Sequence, residues 1–349
     1  MKNITVQVDI SISEAMKNLE RTAEKCLLVI DAEEKLLGTL TDGDLRSRIL
    51  SGAKFSENID KSYNSDPTVL IKDKFTIEEA KHLLINKKLD LIPVVDTNNL
   101  VVDYLTLQSV DVDQIPNAQT LKGIPVVIMA GGRGTRLEPF TNVLPKPLVP
   151  VFEKPIIEHI IERFSKLGCL DFYLTVNYKA RILKAYFEEL RPNYNFHFFD
   201  EHEPLGTAGS LRFLDGMFDC PFFVTNCDTI IKANYNSLYK FHQEGSYDIT
   251  LVASAKEYII PYGTCELNGR GHLSHINEKP KYDFLINTGL YVMNPGDLSL
   301  IPKNKFYHIT HLIEDAKNAG KKIGVFPIDD DAWIDVGEWA EYQKAIKKL

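Results

Sequence analysis

The sequence predicts an α/β protein in two parts: a small α+β repeat pair, then a larger domain on a mixed, largely parallel sheet. Two observations carry this. Segments of the first third recur at a constant offset of 65 residues. From about residue 124 onward, short apolar runs alternate with amphipathic stretches, as strands interleaved with helices do. Ligands of such sheets lie beyond the carboxyl ends of the strands, so chemistry is sought there.

The bulk properties narrow the field. A chain of 349 residues favours two domains, and 44% hydrophobic with 25% charged residues is ordinary globular composition. A net charge of -8 and a pI near 5.7 exclude a general nucleic-acid binder. Cys26, Cys169, Cys220, Cys227 and Cys265 are scattered without a C-x-x-C pair, which argues against a zinc site or a disulfide framework. The opening M-K-N-I-T-V-Q-V-D lacks the apolar core of a signal peptide, and no stretch approaches a membrane span. The expected compartment is the reducing cytoplasm.

In the repeat pair, Ala15 matches Ala80, Leu19 matches Leu84, Asp31 matches Asp96, Leu40 matches Leu105 and Thr41 matches Thr106. Each unit reads as a helix (13–25; 76–88), a strand (26–30; 91–95), an acidic turn and a second strand (36–40; 101–105). Ser13 and Thr76 stand where helix N-caps belong, each with Glu in the first turn. Units this small cannot each bury a core, so they should pack as a pair. The arrangement resembles a tandem cystathionine-β-synthase (CBS) pair over 1–115, with repeats of about 1–60 and 61–115. The resemblance implies an adenosine-nucleotide cleft at Thr41 and Asp44, or a module that is only structural or dimerising. The second unit carries Ser109 where that Asp would stand and Asp103 where the first has Gly38, so its cleft reads as degraded. CBS pairs commonly associate, which makes a homodimer the expectation. Residues 116–123 read as a linker, and 124–349 as the second domain.

That domain opens with P-V-V-I-M-A-G-G-R-G-T-R-L-E-P-F-T-N-V-L-P-K-P-L-V-P, Pro125 to Pro150. An apolar strand breaks at Ala130 into Gly131, Gly132, Arg133, Gly134, Thr135 and Arg136, and Lys146 follows inside a stiff Pro-Lys-Pro. Glycine amides and fixed positive charge at a strand end suit a polyphosphate. No Gly-Lys-Ser/Thr closes the loop as in a Walker A motif. Leu137 stands where a dinucleotide fingerprint needs its third glycine. Next come a helix of Ile156, Ile157, Ile160, Ile161, Phe164 and Leu167, a strand (170–176), a helix (179–190) and a strand (196–199). L-G-T-A-G-S-L (205–211) offers small residues against which a flat ring could lie. A buried strand, 221–226, ends at Asp228, and W-I-D-V-G holds Asp335 near the chain's end. Two acids at strand ends suit a hard cation.

G-G-R-G-T-R-L-x-P-x-T followed by L-P-K-P-L resembles the opening of the sugar-1-phosphate nucleotidyltransferases, and the later motifs extend the resemblance from Ile124 to about Tyr342. It implies a Rossmann-like, GT-A-like fold and transfer of a nucleoside monophosphate to a sugar-1-phosphate. Asp228 and Asp335 would hold Mg²⁺, and Arg136 with the 130–135 loop would hold the nucleotide phosphates. Leu205, Gly206 and Thr207 would meet the base, and Lys146 the sugar phosphate. Gly263 of P-Y-G, Glu278 and Lys279 of E-K-P, and Asn287 of N-T-G would face the sugar, with N-T-G opening a strand at 290–293. CBS repeats ahead of a W-I-D-V-G-E-W ending resemble guanylyltransferases. These favour GTP with glucosamine-1-phosphate, alternatively mannose-1-phosphate, and UTP or dTTP with glucose-1-phosphate stay open. A nucleotide-sensing subunit without chemistry is disfavoured, because a sensor has no need of both acids and the arginine. His308 and His311 lack an acidic partner, with Thr310 as the expected cap of their helix. His272 and His275 read as solvated.

Overall fold

The computed structural model describes residues 4–22, 25–87, 89–106, 109, 120–269, 271–339 and 342–343. The N-terminal stretch folds as two copies of one motif. In the first, β1 (Thr5–Gln7), α1 (Ile12–Thr22), β2 (Cys26–Ile30), β3 (Leu36–Thr41) and α2 (Asp42–Leu50) follow in order. β1 runs parallel to β2, and β3 antiparallel to it. The second copy has β4 (Leu70–Ile71), α3 (Ile77–Asn86), β5 (Ile92–Val95) and β6 (Val101–Leu105), with the same directions.

The repeat extends to individual hydrogen bonds. Asp31 accepts from the backbone N–H of Glu33 and Lys35, and Asp96 accepts from Asn98 and Leu100 in the equivalent turn. Thr41 caps α2 in a reciprocal box: Asp44 N donates to Thr41 Oγ1, and Thr41 N donates to Asp44 Oδ2 at 2.8 Å. Thr106 and Ser109 repeat that exchange at 3.3 and 2.9 Å. Thr76 caps α3 with Glu79, but α1 starts earlier than the sequence pattern suggested. Its cap is Ser11, whose hydroxyl accepts from Glu14 N at 3.2 Å, and Ser13 lies in the first turn. The copies pack as a pair. Leu36 N donates to Asn99 O, Asn99 Nδ2 donates to Leu36 O, and Leu91 and Val95 enter the first copy's core.

The second region contributes β7 (Val126–Ala130), β8 (Pro150–Val151), β9 (Lys154–Pro155), α4 (Ile156–Ser165), β10 (Asp171–Val176), α5 (Ala180–Leu190) and β11 (Asn195–Asp200). It continues with β12 (Phe222–Asn226), β13 (Thr229–Ile231), α6 (Tyr235–Glu244), β14 (Ile249–Ile259), β15 (Thr264–Leu267) and β16 (Leu273–Asn277). β17 (Lys281–Met293), α7 (Ile309–Asn318), β18 (Ile323–Asp329) and β19 (Trp333–Asp335) complete it. The main sheet has seven strands in the order β11-β10-β7-β12-β17-β14-β18. β11, β10, β7 and β12 are parallel, and β17 joins β12 antiparallel. Apolar residues cover both faces: the α4 isoleucines and Phe164 on one, Leu211, Phe222, Ile249 and Leu312 in the cluster on the other. A strand buried on both faces reads as an unbroken apolar run, which is why V-V-I-M-A could be recognised.

The chain divides into two compact units, Met1–Asn117 with Ala255–Leu285, and Ala118–Ser254 with Ile286–Leu349. Of the stretch expected as a linker, 116–119 lie outside the described residues. Residues 120–123 are no free spacer, because Leu121 is 3% exposed and its N–H donates to Leu167 O. N-T-G also differs from expectation: β17 begins at Lys281, so Asn287 to Gly289 lie inside the strand. Among the described residues no helix is long and apolar enough to cross a membrane. Leu121→Ala should lower the unfolding free energy by about 2–4 kcal/mol, read from urea denaturation, because the methyls it removes leave a cavity.

Candidate active site

The parallel strands end together. Register pairs Ala130 with Val176, Met129 with Asn226, and Val176 with Asp200, so the segments after β7, β11 and β12 leave one edge of the sheet. After β7 the glycine–arginine loop is largely exposed and is pinned at its far end by Leu137, which is fully buried. Thr141 Oγ1 donates to Gly134 O at 2.9 Å. Lys146 begins a 3-10 turn whose next two residues, Pro147 and Leu148, are buried, so its backbone is fixed. The Arg136 guanidinium pairs with Glu338 at 2.6 Å, both side chains more than half exposed. Solvent screening keeps such a pair weak and easily exchanged for a stronger anion.

Asp228 follows β12 and Asp335 closes β19, more than a hundred residues later. The antiparallel ladder between β13 and β19 joins them: Thr229 faces Asp335, and Val336 N donates to Asp228 O at 3.0 Å. Both carboxylates crowd Gly337. A Cβ there would run into Asp228 Oδ2 and lie 3.0 Å from Asp335 Oδ1, so only glycine leaves the space between the acids open. Gly337 N donates to Asp335 Oδ1 at 2.7 Å, and the Lys146 ammonium pairs with Asp228. Burial would lower the Lys146 pKa, but the charge and hydrogen bond of Asp228 outweigh it and the net shift is upward. Burial raises the Asp335 pKa, Gly337 N–H pulls it down, and the Asp228 charge raises it again. Cys227, beside them, is pushed up to about 12 by burial and supplies no thiolate.

These two acids could together hold a divalent cation. Two convergent carboxylates with open space between them suit a hard cation that takes its other ligands from water and phosphate. Among the described residues there is no group of three or more His, Cys, Asp or Glu that would form a closed cage.

Leu205, Gly206 and Thr207 run against the segment before α7. Tyr307 N donates to Leu205 O, Ala208 N donates to Tyr307 O, and Ile309 N donates to the Thr207 hydroxyl at 2.9 Å. Thr207 therefore does the capping expected of Thr310, because α7 begins at Ile309, two residues before the start that a Thr310 cap implies. The sequence reading missed Glu201. It is 7% exposed, and its Oε2 accepts from Leu205 N at 3.1 Å. A Cβ on Gly131 would lie 2.6 Å from its Oε1, an oxygen that accepts no hydrogen bond among the described residues. One acid in D-E-H-E reads as a solvated turn, and only its place at the end of β11 marks it out.

The sugar-side candidates divide between the units. Gly263, Glu278 and Lys279 belong to the first, where Glu278 Oε2 lies 3.0 Å from the Cβ position of Gly263. Asn287 belongs to the second and donates to the Tyr291 hydroxyl at 2.7 Å. His272 and His275 are exposed on the β15–β16 hairpin.

A parallel α/β sheet with a basic glycine loop and paired acids at one edge is the frame of a nucleotide-handling transferase. The Nucleotidyl transferase family matches residues 125–349, and the chain belongs to it. The CBS domain family matches residues 1–51. A mannose-1-phosphate guanyltransferase of Yarrowia lipolytica is 38% identical over 192 residues, 52% of this chain and 51% of the relative. Another, of Hypocrea jecorina, is 36% identical over 229 residues, 62% of this chain and 61% of the relative. The chain thus spans about half to three-fifths of these curated relatives. The crystal structure of HddC from Yersinia pseudotuberculosis aligns with a TM-score of 0.51 and 26% identity, covering 64% of this chain and 99% of that one.

The raised Asp335 has a consequence for stability. Folded protein holds its proton more tightly than the unfolded chain, so this group's contribution is full below the ordinary carboxylate pKa of about 4 and is lost as pH rises through the folded value. Asp335→Asn should flatten that part of the profile. At neutral pH, without metal, its urea midpoint should be no lower than wild type.

Proposed function

We propose that the protein transfers a nucleoside monophosphate from a nucleoside triphosphate to a sugar-1-phosphate, releasing pyrophosphate. The pair is GTP and a hexose-1-phosphate, mannose-1-phosphate foremost. The observation that carries the reading is the convergence of Asp228 and Asp335 on Gly337, with Lys146 paired to Asp228, on a chain whose basic glycine loop leaves the same sheet edge.

The sugar phosphate is already a nucleophile, so the protein's task is to align two polyanions and neutralise charge. Asp228 and Asp335 would hold Mg²⁺, which when bound withdraws charge from the phosphoryl group under attack. The Gly131–Thr135 amides and Arg136, released from Glu338, take the departing pyrophosphate. Lys146, turning from Asp228, would hold the sugar phosphate and Asn287 would meet the sugar, while Lys279, Glu278 and Gly263 are given sugar-side roles by the family resemblance. Leu205 to Thr207 lie along the base.

Glu201 supports GTP. Its carboxylate only accepts hydrogen bonds, and guanine presents adjacent N–H donors at N1 and N2, which uracil, thymine and cytosine do not. The curated relatives support mannose-1-phosphate over glucosamine-1-phosphate, the sugar that the CBS fusion and chain ending first favoured. The match of residues 1–51 to the CBS domain keeps glucosamine-1-phosphate as the second reading.

The test is pyrophosphate release with Mg²⁺, each of four nucleoside triphosphates being offered with a panel of sugar-1-phosphates. Release with GTP and mannose-1-phosphate is expected, and silence of folded protein across the panel would sink the reading. Asp228→Asn and Lys146→Ala should each cost about 10² to 10³ in kcat with the fold intact. Glu201→Gln should narrow the preference for GTP over UTP about tenfold or more, since a carboxamide can turn a donor toward the base.

A further inference from the structure

The stretch Ala255–Leu285 leaves the main sheet as the outer parts of β14 and β17 and forms an arm carrying Gly263, Glu278 and Lys279. It groups with the N-terminal module as one compact unit. Within that unit, contacts among the described residues tie arm to module. Ala255, 8% exposed, is part of the apolar cluster built from Ile4, Ile12, Leu28 and Leu45. The carboxylate of Asp283 accepts a hydrogen bond from Phe55 N at 3.1 Å.

Phe55 is a rigid donor. Its side chain is 4% exposed and its carbonyl accepts from Ser13 N at 3.0 Å. The loop around it is fastened by Glu57, which accepts from Lys54 N and from Arg48 Nη2, both at 2.9 Å. Asp283 Oδ1 is buried and has no hydrogen-bond partner among the described residues, where this acid meets the module through its bond from Phe55 N. A carboxylate held that way contributes orientation more than stability.

We propose that Asp283 is a positioning residue for the sugar-1-phosphate, through which the N-terminal module sets the place of the arm. Asp283 lies five residues beyond Glu278, past a bend in which Lys279 has a φ of 47° and just inside β17, a reach of at most about 18 Å. This stretch is stiffened by Ile260 N donating to Pro280 O and by the Lys281–Glu257 pair at 3.2 Å. A module that shifted Phe55 would carry Glu278 and Lys279 with it. The proposal rests on the transferase reading and on the sugar-side role of this arm.

The experiment measures both Michaelis constants, with GTP and mannose-1-phosphate as substrates. Asp283→Ala should raise KM for mannose-1-phosphate about tenfold, leaving kcat and KM for GTP within about twofold, since one bond to a charged acceptor is lost on the sugar side alone. Asp283→Asn keeps an acceptor oxygen and should restore the wild-type values. Unchanged constants, equal rises in both, or failure of the Asn variant to rescue would overturn the proposal. Hydrogen–deuterium exchange on wild-type protein gives a readout independent of variant folding. Mannose-1-phosphate should slow exchange at Phe55 more than GTP does, and equal or absent protection would also overturn it. If wild-type protein releases no pyrophosphate, the transferase reading fails. If wild type turns over and Asp283→Ala matches it, only the role of Asp283 fails.

Discussion

Two carboxylates forced together in a half-dry place are the constraint around which the larger unit is arranged. Burial resists ionisation of Asp335 most and the like charge of Asp228 adds to it, so its pKa is raised. Lys146 supplies the compensating charge on Asp228, while Gly337 gives Asp335 one amide and leaves the space between the acids unfilled. The geometry costs stability and is held by its surroundings. The β13–β19 ladder fixes the acids' backbones, and the buried Pro147 and Leu148 fix that of Lys146.

The same closing segment fastens the phosphate loop. Just past Asp335, Glu338 reaches Arg136, Trp339 packs on Phe140 with ring centroids 5.6 Å apart, and the Tyr342 hydroxyl donates to Pro150 O at 2.6 Å. The aromatic contacts are part of the packing and persist, whereas the exposed Arg136–Glu338 pair is weak enough to be replaced by a polyanion. A loop anchored at Leu137 can release its arginine from Glu338 without refolding.

Much of the fold was legible in the residues because its causes are local. The offset of 65 residues reappears as matched Asp turns, matched caps and the same sheet order in both copies. Unbroken apolar runs marked the central strands because both faces of the sheet are covered. Two misreadings concerned helix caps. Ser11 and Thr207 displaced Ser13 and Thr310 as caps, since a cap is chosen by where the backbone enters the helix, and in the second case the cap comes from a distant segment.

The sequence alone was enough to mark the family, because glycines, arginines and a Pro-flanked lysine in one run, with acids at strand ends, carry their own charge and backbone consequences. It could not determine who meets whom. That Asp228 and Asp335 share Gly337, that Glu201 lies against Gly131, and that the arm of Gly263, Glu278 and Lys279 belongs with the N-terminal module are contacts across tens to hundreds of residues. Strand order and register decide such contacts, and both are set by how the apolar faces pack as a whole, which no single stretch of the chain encodes.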